Sequence, residues 1–587
     1  LTRSTASTST ADLSTRRIGL VWLCVCALGV GALTGLGAVV LRALIALFHN
    51  LFFLGQLSFV YDSNIFDPPN PWGPWMILVP VVGGLIVVFL VRTFAPEARG
   101  HGVPEVMDAI YYKDGRIRMA VIFIKSLASA ISIGSGASVG REGPIIQIGS
   151  GIGSTAGRFL RLPTWQIITL IAAGAGSGIA ATFNTPLGGV MFALELMLPE
   201  VSSRTFLPVV IATGAATYIG WLFFDYVPAF QIPPVAHPQL SASGALLLLC
   251  VALGALCGVA AAAFVRTLSF MEDLFDRMPG NAYTRNIAGM LLIGVLIYAL
   301  EIWSGHRHVD GVGYATVQWV LSGGSDVAWF LGLLFVLKLL ATTVSLGSGA
   351  SGGVFSPSLF LGAMLGGAFG AAVSALWPQL GIGVEVMALI GMAAVVGSGT
   401  GAAMTAILMI FEMTHAYATI VPSIVAVAIA LGVRRTLSYE NIYTIKLARR
   451  GHHIPRERHS HMFMIRHAGD VMLPVRGIVD RAGISAAAAA AKGGDAGYLI
   501  VRDGNHIAGL LKVGETIDPG ETVVDKTFVV VRSSDFIRDI MSRMAKSNRK
   551  PQLAIVVDRR GVPRPQDVLG VVTRAGIADT IIGDLSK

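Results

Sequence analysis

The chain has 587 residues, 53% of them hydrophobic and only 13% charged, with a mean hydropathy of +0.68. Soluble domains carry about 25% charged residues, so this composition excludes a soluble globular protein and predicts a polytopic membrane protein. The formal charge of +9 gathers beside apolar stretches, at Arg16 and Arg17, at Arg434 and Arg435, and from Lys446 to Arg458. Without an aromatic-interleaved patch, such runs mark cytoplasmic membrane edges rather than nucleic-acid binding.

In chain order, residues 1–17 are predicted to be a Ser/Thr-rich cytoplasmic tail. Ile18 to Leu54 is apolar, long enough for one tilted helix plus an interfacial piece and too long for a signal peptide. Cys24, Cys26, Cys250 and Cys257 stand in apolar stretches without adjacent His, Asp or Glu, so they read as buried thiols and no metal site is predicted. Asp62–Trp75 is a Pro- and Asn-rich loop, and Met76–Val91 spans again. Gly100-His101-Gly102-Val103-Pro104 then opens a helix, with Glu105 in its first turn, where a negative charge suits the helix dipole. His101 is either a satisfied loop histidine or a donor facing an anion.

Residues 134–144 read Gly-Ser-Gly-Ala-Ser-Val-Gly-Arg-Glu-Gly-Pro between the apolar segments Val121–Ile133 and Ile145–Leu160. Arg141 and Glu142 are the charges of this stretch, and an ionisable residue inside an apolar span is costly enough to signal function. The glycines and Pro144 break regular helix and free backbone N–H groups, which in lipid require a partner. Residues 347–357, Gly-Ser-Gly-Ala-Ser-Gly-Gly-Val-Phe-Ser-Pro, repeat the stretch. The register extends to Lys125 with Lys338, Ser132 with Ser345, Gly149 with Gly362 and Gly153 with Gly366. Paired interruptions of this kind point to the binding site of an inverted-repeat transporter.

Trp165–Pro199, with Asn184-Thr185-Pro186 and Leu194-Glu195-Leu196, finds its counterpart in Ala388–Met413, which ends Phe411-Glu412-Met413. Between the halves lie a Pro-rich loop at 225–238, spans at Ala242–Phe270 and Ala288–Trp303, and a polar, Gly-rich stretch at 304–327. Ile420–Leu431 is the last predicted span, and Tyr443 follows at the membrane edge, where a tyrosine serves as an anchor or as a ligand. From about residue 461 the composition becomes that of a soluble α/β appendage, with strands predicted at Tyr498–Val501, Ile507–Leu511, Ala554–Val557 and Val568–Val572. No Ser/His/Asp, His-Glu-x-x-His or cysteine-based set stands in the spans, so no catalytic residue is assigned and an enzyme is not expected.

Gly100-His101-Gly102-Val103-Pro104, Gly140-Arg141-Glu142-Gly143-Pro144 and Gly353-Val354-Phe355-Ser356-Pro357, in that relation, resemble the CLC family of chloride channels and proton/chloride exchangers. The resemblance covers about 18–450, in halves of about 18–225 and 243–450. After a linker at 451–460, residues 461–587 resemble a CBS pair, through Asp470-Val471-Met472-Leu473-Pro474 and Gly570-Val571-Val572-Thr573.

The resemblance implies an all-α polytopic fold with an inverted repeat of tilted and half-spanning helices, plus the α/β CBS pair. It implies a homodimer with an anion pathway in each subunit, placed in the plasma (inner) membrane with both termini cytoplasmic. It makes Glu142 the gate, whose carboxylate competes with chloride. It puts the anion among His101, Gly102, Gly140, Arg141, Gly143, Gly353, Val354, Phe355 and Tyr443, with Lys125 adding positive potential. His101 stands where many members have Ser and bears on anion selectivity. Proton-coupled members carry a second glutamate after the one aligned with Glu195; here that position is Leu196, which favours a channel-like or weakly coupled transporter over a proton/chloride antiporter. A cation-coupled transporter is the remote alternative, disfavoured by the few acidic residues at membrane depth. An adenine nucleotide is a candidate ligand of the CBS pair, although Lys512 and Gly576 depart from the usual ribose-binding pattern.

Overall fold

A computed structural model describes residues 17–224, 229–231, 244–454, 466–484, 497–513, 524–547, 551–558 and 563–585. The tail up to residue 16, most of the 225–238 loop and the linker beyond 454 lie outside the described residues. Contacts divide the chain into two compact units, 1–454 and 455–587.

The first unit is helical. Its first half runs through α1 (Leu20–His49), α2 (Val79–Phe94), α3 (Val103–Tyr112), α4 (Met119–Gly134), α5 (Glu142–Phe159), α6 (Thr164–Phe183), α7 (Pro186–Phe192) and α8 (Ser203–Phe224). The second runs through α9 (Gly244–Arg277), α10 (Ala282–Ser304), α11 (Tyr314–Leu321), α12 (Ala328–Ser348), α13 (Phe355–Leu376), α14 (Val384–Thr400), α15 (Ala403–Thr414) and α16 (Ile420–Leu437), and α17 (Thr444–Arg449) closes the unit. Among the described residues, nine helices are long and apolar enough to cross a membrane, while α4, α7, α14 and α15 are shorter. The last span is longer than its sequence suggested, because Arg434 is buried and its guanidinium bonds the carbonyls of Ser398 and Ser438 instead of ending the helix.

The packing repeats between the halves. α1 lies on α6 and α8 as α9 lies on α14 and α16, α5 pairs with α6 as α13 with α14, and α2 meets α4 as α10 meets α12. Small residues make this possible: a Cβ at Gly149 would strike the Gly174 carbonyl, and one at its counterpart Gly362 would strike the Gly391 carbonyl. Helices in lipid gain little from the hydrophobic effect and depend on such close backbone approach. The two halves also meet antiparallel at matching positions, for Gly140 N donates to Gly353 O at 2.7 Å and Gly353 N returns to Gly140 O at 2.6 Å. A residue that pairs reciprocally with its own counterpart marks a two-fold axis between them.

The second unit is built on a seven-stranded sheet of β1 (Leu473–Asp480), β2 (Gly497–Asp503), β3 (His506–Val513), β4 (Val524–Asp525), β5 (Phe528–Arg532), β6 (Leu553–Val557) and β7 (Val568–Thr573), in the order β4-β3-β2-β1-β7-β6-β5. β1 runs parallel to β2, which pairs antiparallel with β3; β5 runs parallel to β6, which pairs antiparallel with β7. Ile500, Leu510, Ile555 and Val571 fill one core of this duplicated arrangement. Sequence patterning misses β1 because it carries Pro474, Arg476 and Gly477 and is exposed or half-buried along its length.

Candidate functional site

Three broken loops converge beneath the N-termini of α3, α5 and α13. Pro104, Pro144 and Pro357 lie in first turns, where a missing N–H costs no helical bond. Gly102 has φ +79°, which favours glycine, and a Cβ on Gly143 would strike the His101 carbonyl and come within 2.9 Å of Gly353 Cα. The loops therefore touch backbone to backbone, and three helix N-termini, each with positive partial charge, face one region.

Glu142 opens α5 and is fully buried. Its carboxylate accepts from Tyr314 Oη at 2.7 Å, from Ser356 N at 3.2 Å and from Ser356 Oγ. It is thus seated on the first turn of α13, just after Val354 and Phe355, which are buried. Arg141 lies beside it, with Cζ 5.2 Å from the Tyr314 ring centre and Nε buried without a hydrogen-bond partner among the described residues. A cavity of about 430 Å³ next to this cluster is lined by Arg42, Arg141, Phe183, Asn184, Tyr314 and Gln318, among others.

Tyr314 and Ser356 were not singled out from sequence. The polar, Gly-rich stretch 304–327 contains α11, which Tyr314 opens. A signal was present, since Gly311-Val312-Gly313 echoes Gly100-His101-Gly102. The twin lysines act on these two loops. Lys125 Nζ donates to Ala98 O and Gly100 O at 2.9 and 2.6 Å, and Lys338 Nζ donates to Val309 O and Gly311 O, both at 3.0 Å. Lys125 is therefore first a tie for the loop that carries His101, and its contribution to potential comes from that fixed place.

Several site assignments change. Gly140 and Gly353 spend their N–H groups on each other, so neither supplies an anion donor. Tyr443 is not an edge anchor: it is 1% exposed, fixed by Tyr443 N to Asn441 Oδ1 at 2.9 Å and by Ile442 N to Gly399 O at 3.0 Å. Its ring lies 6.1 Å from that of His101. His101 is 1% exposed, and its Nδ1 finds no hydrogen-bond partner among the described residues.

Leu196 is buried within a π-helical turn, Ala193–Met197, that extends α7. The neighbouring Glu195 accepts from Met404 N at 3.0 Å, Thr405 N at 2.8 Å and Thr405 Oγ1 at 2.6 Å, capping α15. Glu412, at the far end of α15, accepts from Leu187 N and Gly188 N and caps α7 in return. In the second unit, Thr573 Oγ1 accepts from Gly576 N at 2.7 Å. Among the described residues no cluster of His, Cys, Asp or Glu is arranged to hold a metal ion.

The comparisons with known proteins agree on a family. The sequence model described as voltage gated chloride channel matches residues 83–435. The H(+)/Cl(-) exchange transporter ClcA of Vibrio cholerae serotype O1 is 33% identical over 386 residues, covering 63% of this chain and 79% of that protein. A putative chloride channel protein ClcB-like of Ralstonia nicotianae is 32% identical over 384 residues, covering 64% and 86%. Among solved structures, a slow cyanobacterial Cl-/H+ antiporter superposes with a TM-score of 0.63 at 29% identity, over 73% of this chain and 97% of that one. A eukaryotic CLC transporter superposes at 0.62 over 95% and 98%, and at 21% identity it attests the fold alone. With these loops, helices and matches together, the chain belongs to the voltage-gated chloride channel (CLC) family.

Proposed function

We propose that this protein carries chloride across a membrane through a pathway gated by Glu142, with little or no proton coupling. The observation that carries the proposal is the Glu142 carboxylate, buried on the α13 N-terminus and accepting Ser356 N–H, where a small anion would find the same donors. Helix N-termini hold an anion without full countercharge, and such weak holding suits throughput. His101 Nδ1 and the Tyr443 hydroxyl supply polar contacts further along, and Arg141 with Arg42 makes the adjoining cavity attractive to anions.

Weak coupling is supported at Leu196, which bears no proton, and at Glu195, whose carboxylate is committed to three bonds on α15. The exchange activity for which the Vibrio and cyanobacterial relatives are named favours a second reading, proton/chloride antiport. The protein acts as a homodimer in the plasma membrane, with the basic runs at Arg434–Arg435 and beyond Lys446 on the cytoplasmic side. The duplicated strand order of the second unit supports reading it as a CBS pair; the Thr573 hydroxyl, already bonded to Gly576 N, lends no support to a ribose contact there.

In proteoliposomes, Glu142→Gln retains chloride flux but loses its pH dependence. Flux as pH-sensitive as that of the parent contradicts the assignment of the gate.

A further inference from the structure

Glu142 is held by a phenol that the family resemblance does not assign. Tyr314 is 2% exposed, and its hydroxyl donates to Glu142 Oε1 at 2.7 Å while lying 2.8 Å from Ser356 Oγ, itself bonded to the same carboxylate oxygen. The ring has little freedom. It packs edge-on to Phe230 at 5.3 Å and against Phe183 at 6.3 Å, and it carries the Arg141 guanidinium on one face. Its backbone is fixed from below, since Gly313 sits at φ +78° and Lys338 ties the two carbonyls just upstream.

We propose that Tyr314 is a positioning residue of the gate: a latch that holds the Glu142 carboxylate in the anion's place and offers the same hydroxyl to the anion that displaces it. This rests on Glu142 being the gate. A hydrogen bond donated to a carboxylate favours its ionised form, so the latch favours the blocked state. When the carboxylate swings away, the Tyr314 and Ser356 hydroxyls face the vacated position, and an incoming anion recovers the donors that Glu142 gives up. The exchange then leaves no buried hydroxyl unpaired, which is what makes it inexpensive.

Other charged and titratable groups bear on this region. Arg141 stands at the α5 N-terminus, Tyr443 precedes α17 within electrostatic reach of Glu142, and Arg42 of α1 and Asp62 share the adjoining cavity. A smaller cavity that Tyr314 and Arg141 also line brings His49, Asp67, Glu301, His306, Arg307, His308 and Asp310. Lys125 and Lys338 are turned into their loops. Among the described residues, Tyr314 is the one neutral group outside α13 that donates a side-chain bond to Glu142.

The test is chloride flux through the reconstituted full-length protein as a function of pH. Tyr314→Phe keeps the ring and removes the donor, so half-maximal flux moves to higher pH by about one unit. Replacement of Tyr314 by 3-fluorotyrosine keeps the shape, makes the phenol a stronger donor, and moves the midpoint to lower pH. In a Glu142→Gln background neither change has a pH profile to move. If Glu142→Gln abolishes pH dependence while both Tyr314 variants leave the parental midpoint in place, the latch is overturned and the gate stands. If pH dependence survives Glu142→Gln, the gate itself is overturned. Should Tyr314→Phe fail to fold, the fluorotyrosine protein decides, and an unmoved midpoint there overturns the latch.

Discussion

Arg307 is 5% exposed and held between two carboxylates, with Nη2 2.5 Å from Asp67 and Nε 3.5 Å from Asp310; Asp67 also meets His49 Nε2 at 3.0 Å. Burial alone would push the Asp67 carboxyl up, but the His49 hydrogen bond and the Arg307 charge hold it below the usual carboxylate range. A depressed carboxyl contributes stability that is complete above its unfolded value, near 4, and is lost as pH falls through the lower folded value. Asp67→Asn therefore costs about 2 kcal/mol at neutral pH, at the low end for a buried pair because Asp310 remains. Thermal unfolding in detergent checks this: the variant melts below the parent at pH 7, and the gap narrows below about pH 4. A gap that stays constant into acid contradicts it. At this scale the sequence is uneven in what it discloses. Glu142 is conspicuous as a carboxylate in an apolar run, and His101 as an imidazole between two glycines. Tyr314 is not, because its partner is 172 residues away and its own surroundings in the chain are polar.

The element scale is governed by the mutual caps of α7 and α15. A helix N-terminus leaves N–H groups unpaired, and in a membrane protein no water is assured for them. Glu195 and Glu412 meet that need for each other's helix. Glu195→Ala then lowers stability by about 1–2 kcal/mol through loss of the α15 cap, and Glu412→Ala does the same at α7. Neither substitution is predicted to change the ratio of protons to chloride moved, because both carboxylates are committed to helix caps. Thermal unfolding beside paired flux measurements checks both halves of the statement; a proton flux that disappears with Glu195 shows that it is a transfer group instead. The long spans were readable from hydropathy, and the repeat from its glycine register. The π turn at Ala193–Met197 and the short α11 were not, since elements of five and eight residues leave too little periodicity for a sequence to display.

Across the whole first unit, the two halves repeat their packing, meet at Gly140 and Gly353, and cap each other through Glu195 and Glu412. The same repetition makes its departures informative. The loop lysines match, yet His101 stands in one half near the position that Tyr314 takes in the other, so one loop presents a buried imidazole and the other a phenol bonded to Glu142. Under the proposed function the anion is held by helix N-termini that both halves contribute, and weak proton coupling is expected from Leu196. Reconstituted protein under an imposed chloride gradient, with anion flux and internal pH recorded together, tests this most directly. The account predicts chloride movement that responds to pH through Glu142 without uphill proton movement at a fixed ratio. Sustained uphill proton flux in fixed proportion to chloride contradicts it.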